Sequence, residues 1–340
     1  MTEGPGIIVG RKGSIGEVVW SESNFWTIDT AYFIKKRTEL SLRWIYYFLI
    51  FLNLKNLNSA TGIPGLNRND VYNLSFPIPP LQEQQKIACI LSNVDILIQK
   101  TDQVIRQTQI LKKGLMQRLL TKGIGHTKFK KTELGEIPEE WKSEKIFENS
   151  ILKGRIGWQG LTTAEYREQG EFYLVTGTDF KYGRIDWKNC VYVDKVRYIQ
   201  DENIQLKKDD VLVTKDGTIG KIAYIDILPQ FATLNTGIFV IRPIKKNYVP
   251  FFLYYVLLSN YFIKFLNRLK AGSTINHLYQ KDFINFSFPI PPLKEQQEIA
   301  SILSNVDNLI QKLKDKKKTE EILKKGLMQQ LLTGRIRVKV

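Results

Sequence analysis

Side chains capable of covalent or metal chemistry are few in this chain, and none stands in a catalytic spacing. The two histidines, His126 and His277, are isolated, and no Cys/His cluster has the spacing of a metal site. A Ser-His-Asp set would have only these two histidines to draw on. The stretches "KGSIG" (Lys12–Gly16) and "DGTIG" (Asp216–Gly220) lack the lysine and spacing of a Gly-x-x-x-x-Gly-Lys-[Ser/Thr] loop, and read as hairpin turns. The prolines of "IPPL" are followed by an aliphatic residue, unlike the Asn/Asp-Pro-Pro-aromatic motif of DNA amino-methyltransferases. Carboxylates are plentiful over residues 133–287, so a nuclease site assembled from them stays open at this stage.

Binding chemistry is better represented. The formal net charge of +16 points to a polyanion, most simply nucleic acid. Residues 76–132 carry +7 of it and residues 288–340 carry +5, so the charge concentrates in two places. It serves there either as a solvated helix face or as a sequence-independent attraction for phosphates. Residues 133–287 are nearly neutral, and their candidate contacts are local. "KGRIGWQG" (Lys153–Gly160) joins Arg155, Trp158 and Gln159, residue types suited to phosphates and base edges. "VTGTDFKYGR" and "TKDGTIGK" offer polar tips between strands. Ordinary turn chemistry accounts for each of these loops equally well.

The elements that would position these residues come in duplicate. At an offset of 212, Ser75–Thr121 matches Ser287–Thr333 at 33 of 47 positions, which is an internal duplication. Nine consecutive positions, "TDQVIRQTQ" (Thr101–Gln109) against "LKDKKKTEE" (Leu313–Glu321), all differ, and "ILKKGLMQ" after them is identical in both copies. A weaker match runs upstream: "RKGSIGEVVW" pairs with "KDGTIGKIAY" at 204, and the apolar runs from Trp44 and Pro250 pair at 206.

In each copy "IPP" precedes a helix start. Apolar residues then recur at heptad spacing. One row is Ile87, Val94, Thr101, Thr108 and Leu115; a second is Ile90, Leu97, Val104 and Leu111; Leu91, Ile98, Ile105 and Leu119 widen the stripe. The spacing predicts a helix from Gln82 to about Leu120, paired with its copy as an antiparallel coiled coil. The divergent block would be the zone where each helix meets an unlike partner.

Residues 133–287 read as an α+β domain of short strands followed by helices near Phe251–Leu258 and Phe262–Leu269. The stretch before Ser75 matches only the later part of that domain, so a truncated counterpart with exposed sheet edges is expected. The densest apolar runs are about half the length of a bilayer span, no basic start precedes an apolar stretch, and Cys89 and Cys190 make no disulfide framework. A reducing cytoplasm is the expectation.

"FPIPPLQEQQKIACILSNVDILIQK" and "FPIPPLKEQQEIASILSNVDNLIQK", the "LKKGLMQRLLT" and "LKKGLMQQLLTGRIRV" endings, and "ELGEIPEEW" together resemble the specificity subunit of type I restriction–modification systems. The resemblance spans essentially the whole chain. It implies β-rich target recognition domains at 1–75 (truncated) and 133–287, alternating with helical regions at 76–132 and 288–340. It implies a non-catalytic subunit without a cofactor of its own, reading a split double-stranded DNA target, with the helices setting the gap between its halves. Two methyltransferase subunits and restriction–translocase subunits are the implied partners. A second truncated specificity subunit is a further partner, and a scaffold that docks methyltransferase without reading a full target is the alternative. By the same resemblance, segments holding Arg155, Trp158, Gln159, Thr176, Thr178, Asp179, Lys215, Asp216, Thr218, Asn276 and His277 approach DNA. Gln84, Gln85, Lys112, Lys113 and Met116, with Gln296, Gln297, Lys324, Lys325 and Met328, recur in both copies as the implied docking surface.

Overall fold

The computed structural model of the chain describes residues 1–35, 39–57, 65–270 and 277–339, the Trp158 side chain excepted. It divides into two compact units, residues 1–107 with 310–340 and residues 108–309, so each unit takes part of both long helices.

In the first unit, β1 (Gly6–Gly10), β2 (Val18–Ser21) and β3 (Ala31–Phe33) form an antiparallel sheet in the order β2-β1-β3. Alternation along β1 turns Ile7 and Val9 into a core with Leu49, Leu54 and Leu66. Helix α1 (Leu42–Leu52) begins where the Ser41 hydroxyl accepts from the Trp44 N–H, and ends at Asn53 in the left-handed region. Its other face, Trp44, Tyr47 and Phe48, packs on Ile87, Ala88 and Leu91 of α2 (Leu81–Lys122) and on Met328, Leu331 and Leu332.

The second unit holds β4 (Lys142–Lys145), β5 (Ser150–Lys153), β6 (Phe172–Val175), β7 (Val191–Val193), β8 (Val211–Thr214), β9 (Ile222–Tyr224), β10 (Phe231–Leu234) and β11 (Ile238–Pro243). Helices α3 (Pro250–Leu258) and α4 (Asn260–Lys270), then β12 (Ser287–Ile290), lead to α5 (Leu293–Leu332). The sheets run β9-β8-β11-β5, β7-β6-β10 and β12-β4. Leu212, Ala223 and Val240 pack with Val175, Ile204 and Leu234 in one core, and Val211, Val213 and Phe239 pack with the helices in another. "VYVDKVRYI", read from sequence as one β-type run, is a strand only to Val193. Lys195–Ile199 is a helical turn, drawn out of the sheet as Arg197 pairs with Glu165.

Helices α2 and α5 cover the expected spans and pair antiparallel. Within the first unit, Asp95 meets Lys324, Asp102 meets Lys317, and the Thr101 hydroxyl donates to Glu320. The last two contacts join the divergent blocks, the expected meeting of unlike partners. The expected seam is half right. Ile87, Thr101 and Thr108 are buried, whereas Leu97, Val104 and Leu111 of the second row are exposed. The buried companions of the first row are Leu91, Ile105 and Leu119, three of the four residues expected to widen the stripe.

Candidate nucleic-acid interface and helix clamp

The loops singled out in the second unit converge at one end of its sheets, because the strands feeding them run out there together. β6 and β10 are parallel, with Val175 beside Leu234, and the Asn235 N–H donates to Val175 O. β8 leaves at Thr214, where the Lys215 N–H donates to Gly237 O and Leu278 N–H to Lys215 O. A Cβ on Gly177 would come within 3.2 Å of Thr214, so the Thr176–Asp179 turn sits against the base of the β8–β9 hairpin. Likewise a Cβ on Gly160 would come within 3.4 Å of Thr236, which brings the "GWQG" loop alongside.

Within this cluster the candidates separate by burial. Arg155 is buried: its Nε donates to Leu234 O at 2.8 Å and its terminal nitrogens to Gln200 and Thr233. Every direction of its fork is spent internally, so it braces the loop against β10. Gln159 is also buried. Asp179 closes its own turn, accepting from the Thr176 N–H and hydroxyl at 2.7 and 2.9 Å, and burial pushes its carboxyl above the usual range. These three face inward and position the turns around them. Lys215 is half-buried over the Phe239 ring, and burial lowers its pKa. Asp216 pairs with His277, fixing the hairpin to the strand-like segment at Leu278. Thr178 and Thr218 are exposed at the two tips, and Thr176 supports the first by a 2.7 Å hydrogen bond. Asn276 and the Trp158 side chain lie outside the described residues. The sequence reading missed Tyr279, an exposed ring 4.6 Å from His277 and beneath Lys281. Its signal was available as an aromatic two residues past a candidate, flanked by a base.

The repeated residues form a clamp that occurs once in each unit. Gln84 Oε1 accepts from the Ser41 N–H at 2.9 Å and its Nε2 donates to Pro79 O at 2.8 Å. Gln296 Oε1 accepts from the Val249 N–H at 2.8 Å and its Nε2 donates to Pro291 O and Asn247 O. The Tyr47 hydroxyl donates to Asp95, which also holds Lys324 at 2.6 Å. The Tyr255 hydroxyl donates to Asp307, which holds Lys112 at 2.5 Å. Burial and the adjoining carboxylate raise both phenols, Tyr47 to about 12. Glu83 takes Arg337 in a two-point grip together with the Val338 N–H; Glu295 takes the Ile124 N–H, His126 and the Trp141 indole. Each glutamate thus captures the chain leaving the other helix.

Several implied docking residues are therefore internal. Gln84, Gln296 and Met328 are buried, and Lys112 and Lys324 are ion-paired; Gln85, Lys113, Gln297 and Lys325 remain exposed. Met116 lines a groove of about 430 Å³ in the second unit with Lys113, Tyr261 and Lys264. Tyr47 and Tyr255 also correct the upstream alignment. Their shared role sets the offset of the apolar runs at 208, two residues from the reading by hydropathy alone.

Comparison with known proteins places these features in context. The family model for the type I restriction modification DNA specificity domain matches residues 2–107 and 138–324. The MjaVIII specificity subunit of Methanocaldococcus jannaschii is 35% identical over 295 residues, covering 84% of this chain and 68% of that protein. The EcoBI specificity subunit of Escherichia coli is 28% identical over 314 residues, 86% of this chain and 65% of its own length. Among solved structures, the type I restriction–modification S subunit from M. genitalium superposes with a TM-score of 0.61 at 20% identity, over 98% of this chain and 84% of that one, a likeness of fold.

Proposed function

Because the chain belongs to the type I restriction–modification DNA specificity family, we propose that it is the non-catalytic subunit that reads a split DNA target and docks methyltransferase and restriction subunits. The observation that carries the reading is the convergence of three loops distant in sequence at one end of the second unit. There Thr178, Thr218 and Tyr279 are exposed on a frame stiffened by Arg155, Asp179 and the Asp216–His277 pair. Hydroxyls and an aromatic ring on a rigid mount are suited to base edges and stacking, and the basic helices to phosphates. That end reads one half of the target. Each unit offers its own surface for a methyltransferase subunit: exposed Leu97 and Leu323 with Lys325 in the first, exposed Leu111 and Leu309 with Lys113 in the second.

The test is methylation-site mapping with purified methyltransferase subunits and this chain. Thr218→Ala or Tyr279→Ala changes or relaxes one half of the recognised sequence, at about 1–3 kcal/mol per lost contact. Adding seven residues to both α2 and α5 lengthens each by about 10 Å, roughly three base-pair steps, and widens the unread gap accordingly. An unchanged methylation pattern in both experiments refutes the reading. Binding must also weaken steeply with salt while retaining sequence preference.

A further inference from the structure

We propose that the two methyltransferase docking surfaces are unequal. A groove in the second unit takes an acidic, apolar-faced segment of the methyltransferase subunit, and the matching place in the first unit is filled by the chain's own side chains. The inference rests on the docking reading above and goes beyond it by ranking the two sites. The groove, of about 430 Å³, lies between the C-terminal turns of α2 and the start of α4. Met116 and Leu120 line it from α2, and Leu258, Tyr261 and Ile263 line it from α3 and α4.

Residues 110–117 and 322–329 both read ILKKGLMQ, so the long helices offer each unit the same half of a groove. In the first unit Met328 is buried in a core with Tyr47, Phe48 and Leu331, against which Phe51 and Leu52 pack. At the 208-residue offset set by Tyr47 and Tyr255, Ser259 stands for Phe51 and Asn260 for Leu52. A large apolar pair gives way to a shorter polar pair, and Met116 is left half-buried on the groove. Ser259 also builds the far wall. Its hydroxyl donates to Val256 O at 2.6 Å and accepts from the Tyr261 N–H at 3.2 Å, which joins the end of α3 to the start of α4. At the same offset the first unit has Asn53, where α1 ends, and Lys55, paired with Glu17.

The rim sets the charge of the occupant. Lys113 and Lys264 line the groove, and Arg268 lies one turn beyond on α4. All three are exposed and, among the described residues, carry no ion pair. Lys112 is already neutralised by Asp307 at 2.5 Å, and no carboxylate is among the described lining residues. Ile263, 49% exposed, and Met116 supply apolar contact beside those free ammonium groups. A polypeptide segment with apolar residues on one face and Asp or Glu at its margins satisfies both. Lys113 belongs equally to the surface formed by Leu111 and Leu309, so one partner covers groove and helix face without a break.

The experiment titrates the full chain with the purified methyltransferase subunit and resolves complexes holding one and two subunits by native mass measurement. The first subunit binds more tightly than the second by about tenfold or more beyond the statistical ratio of two equal sites. Ile263→Asp with Lys264→Glu, both at exposed positions, brings the two steps to that statistical ratio. Asn260→Leu, which places the first unit's residue at the groove, does the same. Unchanged hydrogen exchange in α3 shows that these variants fold. Leu323→Asp, on the first unit's surface, removes the weaker step and spares the tighter one. A photo-crosslinker in place of Ile263 joins to a methyltransferase segment rich in Asp and Glu. Equal sites in the native chain, a tighter step indifferent to the groove variants, loss of the tighter step with Leu323→Asp, or a crosslink to a neutral or basic segment overturns the proposal. So does a dimer of the chain alone that Ile263→Asp disrupts, which gives the groove to a second copy. Binding of no methyltransferase subunit at all removes the docking reading and the ranking with it, whereas equal sites remove only the ranking.

Discussion

Ser75–Leu81 and Ser287–Leu293 are the same seven residues, SFPIPPL, leading into the same helix start, yet they live in different surroundings. In the second unit Ser287–Ile290 is a strand against Lys142–Lys145, and Phe288 is fully buried among Tyr248 and Phe286. In the first unit the same residues are extended without a partner strand; Phe76 is 36% exposed and Ile78 58%. Past the second proline, by contrast, the two units hardly differ. The glutamine ties the helix start to its domain, the aspartate joins a tyrosine to a lysine of the opposite helix, and the glutamate captures the departing chain. Strand formation is thus a property of the neighbour, whereas the clamp is carried by the repeated residues themselves. The repeat accounts for much of its own identity: each clamp interaction outside the divergent blocks is made twice.

The sharpest way to break the comparison is to truncate the same phenylalanine in each copy. Phe288→Ala empties a closed aromatic site and is expected to cost about 3–5 kcal/mol of stability. Phe76→Ala removes a ring that touches Phe48 at 4.5 Å but is partly solvated, and should cost about 1 kcal/mol. Urea denaturation of the two variants measures both. Equal costs would mean that the first unit is closed in solution.

Next in size is the glutamine pair. Gln296→Leu strands the Val249 N–H and the carbonyls of Pro291 and Asn247, an expected loss of about 3 kcal/mol. Gln84→Leu strands only the Ser41 N–H and Pro79 O, an expected loss of about 2 kcal/mol. A reversed order would show that the clamp is weaker in the second unit.

These glutamines also mark how far the sequence can be read. The 212-residue offset, the two long helices and their antiparallel pairing were legible, because a 3.5-residue apolar period over five heptads has few other solutions. How the residues flanking the first row divide between seam and surface was not. Leu97, Val104 and Leu111 are as apolar as the residues that won, and the choice is made by polar pairs such as Thr101 with Glu320. At the candidate interface the loops were legible as connections between strands, and the burial of their side chains was not. Arg155 and Asp179 have the chemistry of DNA contacts, but whether such a group faces solvent or its own turn depends on strands far away in sequence.

Acid tests the Glu83 grip. The guanidinium of Arg337 and the Val338 N–H hold the Glu83 carboxyl below its usual range. Its contribution is therefore complete above the ordinary carboxylate pKa, and is lost as pH falls through the lowered value. Once pH falls below that lowered value, the segment after Leu332 should detach from α2, read as faster exchange of the Val338 amide. Arg337→Ala should produce the same release at neutral pH. If acid leaves that amide protected, the tail is held by packing of Val338 rather than by charge.

The smallest expected effect on stability falls where the effect on assembly should be clearest. Lys113 and Lys325 are identical in both copies, exposed, and without a part in the clamp that occupies Lys112 and Lys324. Reversing either charge with Lys113→Glu or Lys325→Glu should change stability by no more than about 0.5 kcal/mol. If these lysines belong to the two docking surfaces, each single reversal removes one of two methyltransferase subunits, and the double reversal removes both. Mass measurement of the purified complexes would then step down one subunit at a time. A complex that keeps both subunits in the double variant would assign the repeated lysines to solvation, and leave the exposed leucines to make the contact alone.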